Sequence, residues 1–445
     1  MSRSTRLRRF LGAVLAAAMA CTVAAAPASA AAPPKPENDP FYQPPPGFES
    51  TEPGTVLRSR PVELAAFALL PQKVQAWQLL YRTTDTQDRP QATVTTVLLP
   101  WGAEPDRSRP LVSYQVAEDS AAAHCAPSYQ WRQGAGNDNF VTQAEILLVD
   151  AAIQQGWAVT VPDYEGPDSA YVAGKQAGQA VLDGIRAAQD FPALGLDGRE
   201  TDVGLWGYSG GALASGWASE LQPGYAPELD VKGVAEGGLP VNVEHVLDNV
   251  NGSVVSGLAM SGIAGLSEAY PELAGYLDAN LTPEGKEAFA EVKTLCNPQA
   301  VARFPFKDIY SYFSNEDPLN HPVAQEVLAA NTMGKHTPTA PLFVYHSVND
   351  QLIPPEDVDG LVERFCADGA QVSYRRDVLS EHAALTVTGA ASAINWLKAR
   401  FAGEPSSPGC DTRTVASSLL SPQALATFGS ALLNALLALL GQPIR

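Results

Sequence analysis

The sequence predicts an α/β fold: a mostly parallel central sheet with an inserted helical cap. Short apolar runs alternate with helical segments from residue 110 to about 236, and the alternation returns at residue 341. Strands that alternate with helices indicate parallel pairing, with helices covering both faces of the sheet. Between these blocks, residues 237–337 contain helical pieces rich in small residues and no clear strand. We therefore expect a core made from two separated stretches of chain, with a mobile cap above it.

The strongest local signal is the pentapeptide Gly207-Tyr208-Ser209-Gly210-Gly211, which reads G-x-S-x-G. An apolar run (203–206) precedes it and a helical stretch of small residues (212–218) follows it. A strand, a sharp turn with serine and a helix are typical of the nucleophile elbow of α/β-hydrolases. Glycine relieves the crowding of such a turn, because it lacks a Cβ atom. The alternative is a glycine-rich loop that happens to contain a serine.

A serine nucleophile needs a histidine base, which in turn needs a carboxylate, and in α/β-hydrolases the chain order is serine, acid, histidine. Asp350 follows the predicted strand 341–346, and His382 follows the last predicted strand, 372–378. Of six histidines, only His382 comes after both the acid and a late strand. Three other acids compete with Asp350, at or inside the next helix, where acids commonly complement the helix N-terminus. They are Glu356, Asp357 and Asp359.

The same chemistry requires donors for the oxyanion of a tetrahedral intermediate. The backbone N–H of Gly210 is one candidate, because it follows the candidate nucleophile. The second should come from the loop after strand 110–116, where Asp119 could use its backbone N–H and a protonated carboxyl group. From the residues alone, Asp119 reads equally well as a solvent-facing turn residue.

The N-terminus indicates export. Arginines precede an apolar stretch (10–23), and Ala28-Ser29-Ala30 resembles a cleavage site, so residues 1–30 are predicted to be a secretory signal peptide. Cys125, Cys296, Cys366 and Cys410 then remain, and an even number in an exported protein predicts two disulfides. Their pairing stays open, because four cysteines allow three arrangements. A zinc site is disfavoured, since the chain has no C-x-x-C motif.

Charge and the C-terminal tail limit the partners. A net charge of −19 argues against nucleic acid and anionic membranes. The apolar run 430–440 is too short to span a bilayer, so no transmembrane segment is predicted. We expect a helix docked on the core or cap, with a lipid-interface anchor as the alternative.

These signals divide the chain into six parts. They are the signal peptide (1–30), a proline-rich arm extended over the surface (31–56), the first part of the core (57–236), the cap (237–337), the second part of the core (338–405) and the tail (406–445). The alternating runs within 62–99 predict antiparallel strands at the start of the sheet.

Six segments, including the glycine-rich pentapeptide, carry a family resemblance. They are 81–84 (YRTT), 113–119 (SYQVAED) with 125–129 (CAPSY), 182–187 (LDGIRA), 207–211 (GYSGG) and 225–229 (YAPEL). With these segments in this order, the chain resembles the secretory lipase family that includes the fungal lipase A enzymes, from Asp39 to about Cys410. The resemblance implies the same triad and an oxyanion hole of Asp119 and Gly210. It also implies the pairs Cys125–Cys296 and Cys366–Cys410, an acyl-binding tunnel in the cap, and lipase activity on triacylglycerols. Residues 411–445 depart from the family, because they do not resemble its C-terminal flap.

Together these observations predict a secreted serine ester hydrolase that needs no metal or organic cofactor and acts on a lipid or ester, with a lipid–water interface as a candidate partner. A carboxylesterase for short or soluble esters is the alternative within this class. A peptidase is less favoured, because no propeller-sized extension precedes the core. A non-catalytic lipid-binding protein is the alternative from another class.

Overall fold

The structure is a computed structural model and describes residues 32–104 and 108–445. The predicted signal peptide lies outside the described residues. Twelve strands are present in this part of the chain. They are β1 (Val56–Pro61), β2 (Ala65–Ala66), β3 (Leu70–Pro71), β4 (Gln75–Thr84), β5 (Pro90–Leu99), β6 (Leu111–Gln115), β7 (Ala158–Pro162), β8 (Val203–Tyr208), β9 (Val231–Gly237), β10 (Leu342–Ser347), β11 (Val372–Asp377) and β12 (Cys410–Val415).

Ten of these strands form one sheet, in the order β1-β4-β5-β7-β6-β8-β9-β10-β11-β12. The pairs β1–β4, β4–β5 and β5–β7 are antiparallel, and the other six pairs are parallel. The predicted fold class, with a mostly parallel sheet and antiparallel opening strands, is therefore confirmed. The carboxyl ends of β6, β8, β9, β10 and β11 meet at one edge, where sites of open α/β sheets form.

The α-helices lie on both faces of the sheet and in the cap. They are α1 (Pro127–Gln130), α2 (Phe140–Ile153), α3 (Gly174–Gln189), α4 (Gly210–Tyr225), α5 (Val243–Val250), α6 (Ser256–Ala269), α7 (Pro271–Asn280), α8 (Pro283–Val292), α9 (Asn297–Arg303), α10 (Pro322–Ala330), α11 (Pro355–Ala367), α12 (His382–Thr388), α13 (Ala390–Phe401) and α14 (Pro422–Leu439). One face of the sheet packs on α3, α4 and α11, and the other packs on α2, α12 and α13. The parallel strands are buried on both faces, which explains their continuous apolar runs.

The helices α5 to α10 form the cap and have an apolar core of their own. Met260, Val292 and Ile309 are fully buried in it. This core also includes Ala121 and Ala170 from loops of the sheet domain, so the cap packs directly over the carboxyl edge of the sheet. The described residues from α5 to α10 contain no β-strand and only an isolated β-bridge between Leu281 and Phe313, as expected from the sequence.

Two segments differ from expectation. The proline-rich arm is not simply extended: it contains short 3₁₀ turns at Pro36–Asn38, Pro40–Tyr42 and Phe48–Ser50. Proline at the first position of each of the first two turns favours this, because its fixed φ suits the start of a helix. The tail supplies β12, a parallel edge strand that the sequence analysis did not predict.

Candidate active site

The elbow lies at the carboxyl end of β8. Tyr208 ends the strand, Gly210 begins α4, and Ser209 between them has φ 55° and ψ −122°, a conformation that few non-glycine residues adopt. The Ser209 N–H donates to the carbonyl oxygen of Gly237 (2.9 Å) and anchors the turn to β9. A Cβ atom at Gly211 would lie 2.0 Å from the carbonyl oxygen of Gln115. The motif therefore needs glycine here because the turn packs against the end of β6.

Ser209, His382 and Asp350 lie in one hydrogen-bonded row. Nε2 of His382 lies 2.9 Å from Oγ of Ser209, and its Nδ1 lies 2.7 Å from Oδ2 of Asp350. The carboxylate requires the proton on Nδ1, which leaves Nε2 to accept the serine proton. The chain order predicted this set, and the structure brings all three residues together.

Asp350 is buried and its environment favours the ionised form. Its Oδ1 accepts hydrogen bonds from the backbone N–H groups of Leu352 and Ile353, both at 2.9 Å. Burial alone would raise the pKa of Asp350, but the hydrogen bond and charge of His382, with the backbone donors, hold the pKa below its usual value. The competing acids are engaged elsewhere or exposed: Asp357 contacts His245 (2.8 Å), Asp359 contacts Tyr374 (2.8 Å), and Glu356 is exposed.

Two side chains that sequence reasoning missed support this row. Tyr208 donates from its hydroxyl group to the carbonyl oxygen of His382 (2.6 Å) and fixes the backbone of the histidine. His346 is fully buried, with Nε2 3.6 Å from Oδ2 of Asp350 and 3.3 Å from the carbonyl oxygen of Ile353. Burial lowers the pKa of His346, which favours a neutral ring beside the acid. Its place at the end of β10, four residues before Asp350, was the available signal.

Asp119 and Gly210 lie against each other beside the serine. Asp119 is buried with φ 48°, and its Oδ1 lies 1.9 Å from where a Cβ atom on Gly210 would stand. Asn297 of the cap donates to Oδ2 of Asp119 (3.4 Å). Burial raises the pKa of Asp119 to about 6, so a fraction of the carboxyl groups carries a proton in weakly acidic solution. The solvent-facing alternative for Asp119 is wrong.

An apolar cavity of about 50 Å³ lies directly beside Ser209. Its walls come from Leu213 of the core and from Val243, Leu247 and Leu258 of the cap. Leu247 also lines a second apolar cavity, of about 30 Å³, deeper in the cap. Leu247 is thus a wall shared by both cavities, and the two cavities together extend the apolar lining from the serine into the cap.

The structure contains the disulfides Cys125–Cys296 and Cys366–Cys410, the two pairs that the family resemblance implied. The first joins the loop that carries Asp119 to the start of α9 in the cap, across 171 residues. His124, Cys125 and Cys296 have ligand atoms within 4.8 Å of one another. Because the two sulfurs are bonded to each other, this cluster offers no thiolate to a metal.

Comparison with known proteins yields one family. The sequence model of the family described as secretory lipase matches residues 132–409. Lipase A of Arthroderma benhamiae is 41% identical over 93% of this chain and 90% of its own length. A secreted triacylglycerol lipase of Malassezia furfur is 35% identical over 92% of this chain and 84% of its own length. A protein of Mycobacterium tuberculosis named as a probable inactive lipase is 42% identical over 83% of each chain. The solved structure of Candida antarctica lipase A in its closed state superposes with a TM-score of 0.84, at 32% identity, over 91% of this chain and 96% of that chain.

Proposed function

This chain belongs to the secretory lipase family of secreted ester hydrolases, and we propose that it hydrolyses triacylglycerol through Ser209, His382 and Asp350. One observation carries the proposal: the three side chains form an unbroken hydrogen-bonded row that ends at a serine on an elbow. This matters because a close relative is named as inactive. A protein that only bound lipid would have no need for all three groups in contact.

In the proposed reaction, Oγ of Ser209 attacks the ester carbonyl carbon while its proton passes to Nε2 of His382. Asp350 holds the ring through Nδ1 and stabilises the resulting imidazolium. The intermediate then collapses, and His382 gives the proton to the departing alcohol. Water, activated by His382 in turn, attacks the acyl-enzyme and releases the fatty acid. No step needs a metal or an organic cofactor.

The oxyanion of both intermediates would be held by the backbone N–H of Gly210 and by Asp119. The close packing of these two residues supports this assignment, since it places the carboxyl group of Asp119 against the residue that follows Ser209. The pKa of about 6 for Asp119 allows its carboxyl group to donate when protonated. The cap also holds the loop that carries Asp119, because the N–H of Asn297 donates to the hydroxyl group of Ser120 in that loop (3.0 Å).

The apolar cavity beside Ser209 is the proposed acyl site. Its mainly aliphatic walls would hold a hydrocarbon chain by burial alone. The size of the cavity also favours a second candidate function. Its volume of about 50 Å³ suits a short acyl group, and Leu247 is a wall of both this cavity and the inner one that a longer chain would have to reach. A carboxylesterase for short esters is therefore the alternative.

The test is the rate of hydrolysis as a function of acyl length, from acetyl esters to emulsified long-chain triacylglycerol, with Ser209→Ala as the blank. The proposal predicts activity on the emulsion that disappears in the variant. Activity confined to short, soluble esters would replace the lipase with the carboxylesterase. A folded protein inactive on every ester would leave the lipid-binding alternative.

A further inference from the structure

The C-terminal helix α14 exposes large apolar side chains and buries small ones. Leu433 is 58% exposed and Leu436 is 52% exposed, whereas Ala424 and Ala438 on the opposite side are 1% exposed. A helix docked on a soluble core normally does the reverse, since burying leucine removes more apolar surface from water than burying alanine. The exposed set recurs at helical spacing and forms one stripe. We call Leu425, Leu432, Leu433, Leu436, Leu437 and Leu440 the leucine face.

Polar contacts hold the helix in this orientation. Thr427 donates to the side chain of Asn395 on α13 (2.8 Å), and Asn434 donates to the side chain of Gln154, just after α2 (3.0 Å). Beyond the helix, the N–H of Ile444 donates to the carbonyl oxygen of Lys73 (3.0 Å). Rotating the helix to bury the leucines would break these bonds. The outward direction of the leucine face is therefore built into the docking of the helix.

The same segment carries no charge. Residues 414–444 contain no Asp, Glu, Lys or Arg, in a chain whose net charge is −19. In the described part of the chain, α14 is the one helix long and apolar enough to cross a membrane by length and composition. Its 18 residues span only about 27 Å, which is less than the thickness of about 30 Å of a bilayer core. The side of the helix opposite the leucine face is also held to the protein by the hydrogen bonds described above. The helix is thus suited to lie on an apolar surface rather than to span one.

Exposed apolar surface also reaches the segment that holds His382. Leu379, three residues before the histidine, is 72% exposed, and its N–H donates to the carbonyl oxygen of Ala416 (2.9 Å). Leu420, which follows this contact and precedes α14, is 60% exposed. Exposed leucines therefore occur next to the segment that holds His382, before α14 and along the leucine face.

We propose that the leucine face binds the surface of a neutral lipid and holds the enzyme on its water-insoluble substrate. The uncharged leucine face of this acidic protein fits an uncharged oil or a zwitterionic phospholipid, because an anionic surface would repel the rest of the molecule. The inference rests on the proposed function, because holding the protein on a lipid surface serves catalysis only if the protein hydrolyses lipid. The binding itself is measurable without catalysis.

The test uses full-length mature protein carrying Ser209→Ala, so that no lipid is consumed, and measures co-flotation with triolein droplets stabilised by phosphatidylcholine. The test variant replaces Leu432, Leu433, Leu436 and Leu437 with glutamine. The control replaces Leu69 and Leu70, which are also exposed but lie in and next to β3, with glutamine. We expect the test variant to bind about 100-fold more weakly and the control to bind like the parent. With Ser209 restored, the test variant should hydrolyse a soluble short-chain ester at the parent rate.

Three results would overturn the inference. The first is a test variant that floats with the droplets as well as the control. The second is a parent protein that elutes as a dimer while the test variant elutes as a monomer, since the leucine face would then be covered by a second copy. The third is a large fall in the melting temperature of the test variant, which would mean that the leucines pack within the fold. Lipid binding by a protein that hydrolyses no ester would instead refute the proposed function and leave this inference standing.

Discussion

Removing the bond between Cys125 and Cys296, with alanine at both positions, should reduce both stability and turnover. The bond closes a loop of 171 residues, for which chain entropy gives about 5 kcal/mol of stabilisation. The expected effect on turnover has a separate cause. Asn297, next to Cys296, contacts both Ser120 and Asp119, so the bond clamps the proposed oxyanion loop to the cap.

The second disulfide provides a matched control. Cys366–Cys410 closes 44 residues, worth about 4 kcal/mol by the same estimate, and joins α11 to the edge strand β12, away from Asp119. Both double variants should therefore lose comparable stability in urea unfolding. Only the Cys125/Cys296 variant should show a fall in kcat on a soluble ester, by about tenfold or more, at a temperature where both are folded. Equal kcat values in the two variants would show that the bond does not position the oxyanion loop, and unchanged unfolding of the first variant would show that it does not stabilise the fold.

Three further predictions concern single side chains. Gly210→Ala should lower kcat/KM by about 100-fold or more, because its Cβ atom would collide with Asp119. The control, Gly224→Ala in the same helix, should keep full activity, because its Cβ atom would have no described atom within 4 Å. Equal activities of the two variants would contradict the oxyanion assignment. Asp150 is buried, and neither of its oxygens has a hydrogen-bond partner among the described residues. Burial raises its pKa to about 8, so the folded state keeps a proton that the unfolded state loses above about pH 4. Stability from this group is thus lost as pH rises from about 4 to about 8. The free energy of unfolding of Asp150→Asn should therefore change with pH by about 3 kcal/mol less than that of the parent between pH 5 and pH 7, and identical slopes would refute this prediction. Leu247→Ala should raise the ratio of long-chain to short-chain hydrolysis by joining the two cavities, and an unchanged ratio would exclude this route for the acyl chain.

Sequence reasoning reached the triad because its signals are local or topological. A glycine-flanked serine after a strand, and an acid and a histidine after later strands, must meet at one edge of a parallel sheet. Asp119 was different, since no pattern separates it from an ordinary turn residue, and only the family resemblance selected it. Its φ of 48° and its packing on Gly210 are tertiary properties. The catalytic roles of all these residues stay predictions until activity is measured.

The features that were missed depend on contacts between distant segments. His346 lies beside Asp350 because the loop after β10 brings the acid back to 3.6 Å from Nε2 of the ring, which periodicity does not reveal. The edge strand β12 is mostly polar and exposed, so its sequence lacks the apolar run of a buried parallel strand. The tail helix was predicted, but the burial of its small residues in place of leucines was not, because its orientation is fixed by hydrogen bonds to Asn395 on α13 and to Gln154 just after α2.

Covalent labelling would show whether Ser209 is a nucleophile activated by His382. The protein would be treated with a long-chain alkyl phosphonate ester, and the mass of the intact chain and of its peptides would be measured. The account predicts one equivalent of label on the peptide that contains Ser209, and a much slower reaction in a folded His382→Ala variant. A folded protein whose Ser209 stays unlabelled would show that Ser209 is not an active nucleophile, and equally fast labelling without His382 would show that His382 does not activate it.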